Sequence, residues 1–111
     1  MNDWINLDAE ETLSDIIEAS KNKAQIIFKH STRCGISEFA KERIEKGYDQ
    51  IEGKVDFYYL DLLNYRNISN LIAERLNVIH QSPQIIILKD GEVVHSVTHH
   101  SIQPEGIAKF L

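Results

Sequence analysis

QIIFKHSTRCGIS, residues Gln25–Ser37, decides how this chain is read. Gln25 to Lys29 is a short apolar run of the kind a buried strand shows. A polar loop, HSTR, follows, and then Cys34, the only cysteine in the chain. Beyond it Ile36, Phe39, Ala40 and Ile44 fall at i, i+3, i+4 and i+8. That spacing predicts a helix from near Cys34 to near Gly47, with these side chains on one face.

A lone cysteine without context is most often a small buried hydrophobe. Here the context argues for a reagent. Cys34 sits where a helix begins, and free backbone N–H groups and the macrodipole favour negative charge there. Lys29, His30 and Arg33 lie just upstream, and no Asp or Glu occurs between Gln25 and Ser37. Helix starts and nearby cations lower cysteine pKa values. Gly35 leaves room for a partner to approach. Cys34-Gly35-Ile36-Ser37 is C-x-x-S, so no second thiol is placed to resolve a mixed disulfide internally. The pattern predicts monothiol exchange, resolved by another molecule. Ser37 reads either as an ordinary first-turn residue or as a hydrogen-bond donor to the sulfur.

Outward from this stretch, Asp8 and Glu11 match a capping box, with Leu13, Ile16 and Ile17 on one face of a helix from about Ala9 to Ser20. VDFYYL, Val55–Leu60, suits a strand. Ile68, Leu71, Ile72 and Leu76 make another amphipathic helix. QIIIL, Gln84–Leu88, is a second fully apolar strand. Asp90-Gly91 signals a hairpin into EVVHSVTH. Ser101–Pro104 resembles a helix start, and PEGIAKFL closes as a short helix. With a first strand around Trp4–Asn6 the order is βαβαβαββα. This predicts an α/β domain with a mixed four- to five-stranded sheet and helices on both faces.

At 111 residues and 42% hydrophobic, the chain fits one domain, 1–111, with one packed core. Twelve basic and 17 acidic residues give a net charge of -5, mixed along the chain, with no basic cluster for nucleic acid. No run reaches the ~20 apolar residues of a membrane span. MNDWINLDAEE lacks the pattern of a signal peptide. A cytoplasmic protein is the expectation.

HQSPQIIIL places Pro83 at the first position of an apolar strand, where proline is tolerated. Together with the strand–loop–cysteine–helix unit, the arrangement resembles the thioredoxin fold. The resemblance implies a cis Ser82–Pro83 bond facing Cys34, with the Ser82 backbone free to pair with an incoming thiol compound or peptide.

The match narrows further. IFKHSTRCGIS, FYYLDLLNYRNISN and HQSPQIIILKDGEVVHSVTHHSI together resemble the bacillithiol-system redox proteins of YtxJ type, the monothiol bacilliredoxins. The stretches run from about Ile27 to Ile102. One departure is Gly35, where that family usually has proline. The resemblance implies that Cys34 attacks mixed disulfides between client proteins and bacillithiol, a co-substrate rather than a bound cofactor. A second small thiol or a disulfide reductase then clears the adduct. Thr32, Arg33, Gly35 and Ser37 would line the site, with Ser82 and Pro83 opposite. Bacillithiol carries malate carboxylates, and His99, His100 and Ser101 at the start of the last helix would receive them.

Two rival readings exist. C-G-I-S is similar to the C-G-F-S of monothiol glutaredoxins, which bind glutathione and share an iron–sulfur cluster. Yet KHST does not match their lysine loop, and VTHHSI lacks their Gly-Gly and Asp. The other rival is a thioredoxin-like binding module without catalysis. No metal site is expected. His95 and His99, four apart on an expected strand, span ~13 Å at ~3.3 Å per residue. His30 and His80 read either as borders of the active site or, preferred, as solvated or hydrogen-bonded edge residues. Tyr65 and Arg66 read either as partner contacts or, for Arg66, as a solvated loop residue; Trp4 reads as core or edge packing.

Overall fold

The computed structural model describes Trp4–Leu111. Five strands form one sheet in the order β1-β3-β2-β4-β5. They are β1 (Trp4–Asn6), β2 (Ala24–His30), β3 (Val55–Asp61), β4 (Gln84–Lys89) and β5 (Glu92–Thr98). The helices are α1 (Glu10–Ala19), α2 (Gly35–Lys46), α3 (Arg66–Leu76) and α4 (Pro104–Ala108). Short 3-10 turns occupy Tyr48–Gln50 and His99–Ser101. β1 and β2 run parallel to β3, whereas β4 is antiparallel to β2 and to β5. This is the mixed α/β/α architecture that the alternation of elements predicts.

β2 is buried along its whole length, because strands flank both its edges and helices cover both faces. Its alternating side chains feed two cores. Ile26 and Phe28 join Phe57, Ile85 and Ile87 beneath Ala40 and Ile44 of α2 and Ile107 of α4. Ile27 joins Leu60, Ile86 and Leu88 beneath Leu13 and Ile16 of α1 and Ile68 and Ile72 of α3. Trp4 closes the β1 edge, its ring 4.4 Å from that of Phe57. The β4–β5 hairpin turns on Asp90 (φ 55) and Gly91 (φ 82), the left-handed pair that a two-residue hairpin requires. No helix among the described residues is long and apolar enough to cross a membrane.

Two local expectations fail. Ala9, not Asp8, caps α1, with no side-chain hydrogen bond, so the Asp8–Glu11 capping box does not form. On α2 the buried stripe is Ser37, Ala40 and Ile44, while Ile36 (44% exposed) and Phe39 (64%) face solvent. Ser37, Ala40 and Ile44 share their own i, i+3, i+7 line, and the sheet selects it over the Ile36–Phe39 line.

Candidate active site around Cys34

The sheet brings four loops to one end. Lys29, near the end of β2, lies opposite Gln84, the first residue of β4, so the Cys34 loop and Pro83 leave the sheet together. His30 pairs with Asp61, which brings in the β3–α3 connection. Gln84 pairs with Thr98, which brings in the His99–Ser101 turn.

Cys34 is the N-cap of α2, in extended geometry at φ -111, ψ 119. Its N–H donates to Ser31 O at 3.2 Å, and its C=O accepts from the Glu38 N–H at 3.0 Å. Its side chain is partly exposed. No side chain caps α2, so the first-turn N–H groups have no competing acceptor beside the sulfur. A Cβ at Gly35 would meet nothing within 4 Å, so the residue after Cys34 lies against open space. Thr32 and Arg33 are exposed in the loop.

Ser37 does not serve the sulfur. It is fully buried, accepts the Ser31 N–H at 3.1 Å and lies 2.6 Å from His30 Nδ1. His30 Nε2 faces Glu38 Oε2, 3.3 Å away, and a carboxylate only accepts, so the imidazole proton is assigned to Nε2. In the neutral ring Nδ1 is then the acceptor, and the Ser37 hydroxyl donates to it. Burial pulls the His30 pKa below its ordinary value, opposed by Glu38. The ring is therefore neutral, and a chain from Ser31 through Ser37 and His30 to Glu38 staples the loop to α2. His30 is no edge residue: it is 1% exposed.

Lys29 also departs from its expected role as a cation for the thiolate. It is 0% exposed. Its Nζ donates to Ser69 O and to His80 Nδ1, each at 3.2 Å. Burial pulls its pKa down to about 8. Of the three upstream cationic candidates, Arg33 alone remains exposed beside the loop.

The Ser82–Pro83 bond is cis, as the resemblance implies. Pro83 O accepts from the His99 N–H at 3.2 Å, so that proline is tied to the β5 exit. Ser82 makes no backbone hydrogen bond with any described residue, and its buried Oγ has no partner. His99, His100 and Ser101 do not start a helix. They form a 3-10 turn with His99 at φ 53, and α4 begins only at Pro104. Arg43 of α2 clamps this turn, donating to His99 O at 2.8 Å and Ile102 O at 3.0 Å. Arg43 and Glu38 went unread in the sequence, because surface charges on a helix carry no sign of a backbone target. Lys29 carried a clue: a lysine at the end of a buried strand must find acceptors inside.

A partly exposed cysteine at the N-cap position of a helix, a cis-proline before the antiparallel strand β4 and this strand order define a thioredoxin-fold redox protein. The family model for monothiol bacilliredoxin BrxC matches residues 5–107, and the chain belongs to that family. Among solved structures, a candidate oxidoreductase with a thioredoxin fold is 33% identical, with TM-score 0.83 over 96% of this chain and 92% of that one. Thioredoxin O2 from Arabidopsis thaliana, in its oxidised state, is 16% identical with TM-score 0.76 over 98% and 94%. Thioredoxin from Trypanosoma brucei brucei is 17% identical with TM-score 0.70 over 95% and 84%. The latter two share the fold alone.

Proposed function

We propose that this monothiol redox protein removes a small thiol, bacillithiol or one like it, from mixed disulfides on client proteins. Cys34 as thiolate attacks the small-thiol sulfur of a protein–S–S–R disulfide. The client leaves as its thiolate, and Cys34 keeps R in a new disulfide. A second small-thiol anion then attacks that disulfide, releasing R–S–S–R′ and restoring the Cys34 thiolate. Both steps conserve disulfides and electrons. With one cysteine in the chain, resolution must be intermolecular.

The observation that carries this reading is Cys34 itself: partly exposed, at the uncapped start of α2, at the sheet end where Pro83 also lies. Ser82 supports it, because its backbone makes no hydrogen bond with a described residue and is free to pair with an amide of a bound thiol or peptide. In this reading Thr32 and Arg33 of the loop and Gly35 at the start of α2 border the ligand, Ser37 anchors the loop from within, and the His99–Ser101 turn, tied to Pro83 O, borders it from β5.

The test is intact-mass spectrometry after exposure to oxidised bacillithiol. One adduct on Cys34, removed by a second thiol and absent from Cys34→Ser, is expected. A Cys34 that alkylates no faster than a free cysteine and takes no adduct would favour a binding module instead.

A further inference from the structure

Lys29 brings a positive charge into the sheet end without a counter-charge: no carboxylate lies within ion-pair distance among the described residues. Its proton donation occupies His80 Nδ1, and Ser69 Oγ approaches the same nitrogen at 3.2 Å. The neutral His80 tautomer therefore carries its proton on Nε2, on an exposed ring. His80 stands three residues before Pro83, at most ~11 Å along the chain.

Arg66 stands three residues before Ser69 on α3, one turn along the face whose Ser69 meets His80; burial first, then the charges of Lys29 and Arg66, disfavour protonated His80. Arg66 is exposed, pairs with no acid among the described residues and opens α3, whose first turn holds no acidic residue and whose N-cap, Tyr65, offers no side-chain hydrogen bond. In a chain of net charge -5 this corner carries the charges of Lys29 and Arg66, with Glu74 of α3 lining the groove beside His80. It lies at the sheet end that carries Cys34. We propose that Arg66 and the His80 Nε2–H, backed by Lys29, form a carboxylate subsite for an acidic low-molecular-weight thiol whose sulfur is exchanged at Cys34. This rests on the exchange reading above. It puts the acidic end of the ligand on the α3 side of Pro83, away from the His99–Ser101 turn, where the His99 N–H is already committed to Pro83 O.

The probes are two symmetrical disulfides: neutral hydroxyethyl disulfide, and thiomalate disulfide with two carboxylates on each half. In each case the Cys34 thiolate displaces one thiolate and keeps the other half as a mixed disulfide. Adduct growth is followed by intact mass. Relative to the rate of each probe with free cysteine, which removes their different intrinsic reactivity, thiomalate disulfide is expected to react faster in spite of the net negative charge, with the advantage erased by ~0.5 M salt. Arg66→Gln should slow it about five- to tenfold, as loss of a charge-assisted contact does, and leave the hydroxyethyl rate unchanged. His80→Gln should act in the same direction. Equal relative rates of the two probes in the unaltered protein, or a parallel loss on both in the variants, overturns the subsite. Adduct from neither probe overturns the exchange reading itself, and the subsite with it.

Discussion

Ser37 shows how one hydroxyl can decide a chemical class and hold a loop at once. In place of a resolving thiol it offers an acceptor to Ser31 and a donor to His30. Ser37→Ala leaves both buried groups unpaired and should cost about 1–3 kcal/mol in urea unfolding. His30 gives this staple an acid limit. Its folded pKa lies below the ordinary 6.5, so the unfolded chain takes up a proton that the folded one refuses. Stability from neutral His30 is complete above pH 6.5 and declines as pH falls from there toward the folded pKa. Unfolding midpoints at pH 7.5 and 5.5 should differ more in the unaltered protein than in His30→Gln.

At the level of elements, the start of α2 is already shaped for proline. Gly35 is the first helical residue, where a missing N–H costs nothing, and Cys34 at φ -111, ψ 119 sits in the region that a following proline demands. Gly35→Pro should fit and raise stability by about 0.4–1 kcal/mol, seen as a higher Tm. Glycine serves a packing need at the other end of α2. A Cβ on Gly47 would lie 2.5 Å from Pro104 Cγ, so Gly47→Ala must push α4 away and should destabilise by about 1–3 kcal/mol. Between β2 and α3, Lys29 sets a slope on the alkaline side. Its folded pKa of about 8 lies below the ordinary 10.5, so the unfolded chain holds the extra proton between those values. The unaltered protein should gain stability over that interval relative to Lys29→Met, on the order of 1–3 kcal/mol, read from urea midpoints at pH 7.5 and 10.

Across the described residues, four of the six large exposed apolar side chains lie toward the reactive end, the others being Ile5 of β1 and Val94 of β5. Ile36 and Phe39 lie on the first turns of α2, Leu63 follows β3, and Ile79, 82% exposed, precedes Pro83. Such groups serve a protein client better than a small thiol. Phe39→Ser should leave unfolding unchanged and slow reduction of a protein-bound mixed disulfide several-fold, with the rate toward hydroxyethyl disulfide preserved. Equal rates on both substrates in a stopped-flow comparison would remove this surface from client recognition.

The linear chain determined the elements and the chemistry of the sulfur. Apolar runs of Gln25–Lys29 and Gln84–Leu88, the helical spacing around Ile68 and Ile72, and C-x-x-S next to a predicted helix start are local patterns, and local backbone physics acts on them directly. The tertiary structure decided which of two possible lines on α2 is buried, that Ser37 and His30 satisfy each other rather than the thiolate, and that Lys29 reaches His80 across 51 residues of sequence. Those outcomes depend on which surfaces the sheet presses together and on which buried donor finds which acceptor. Residues distant along the chain must meet before either question has an answer.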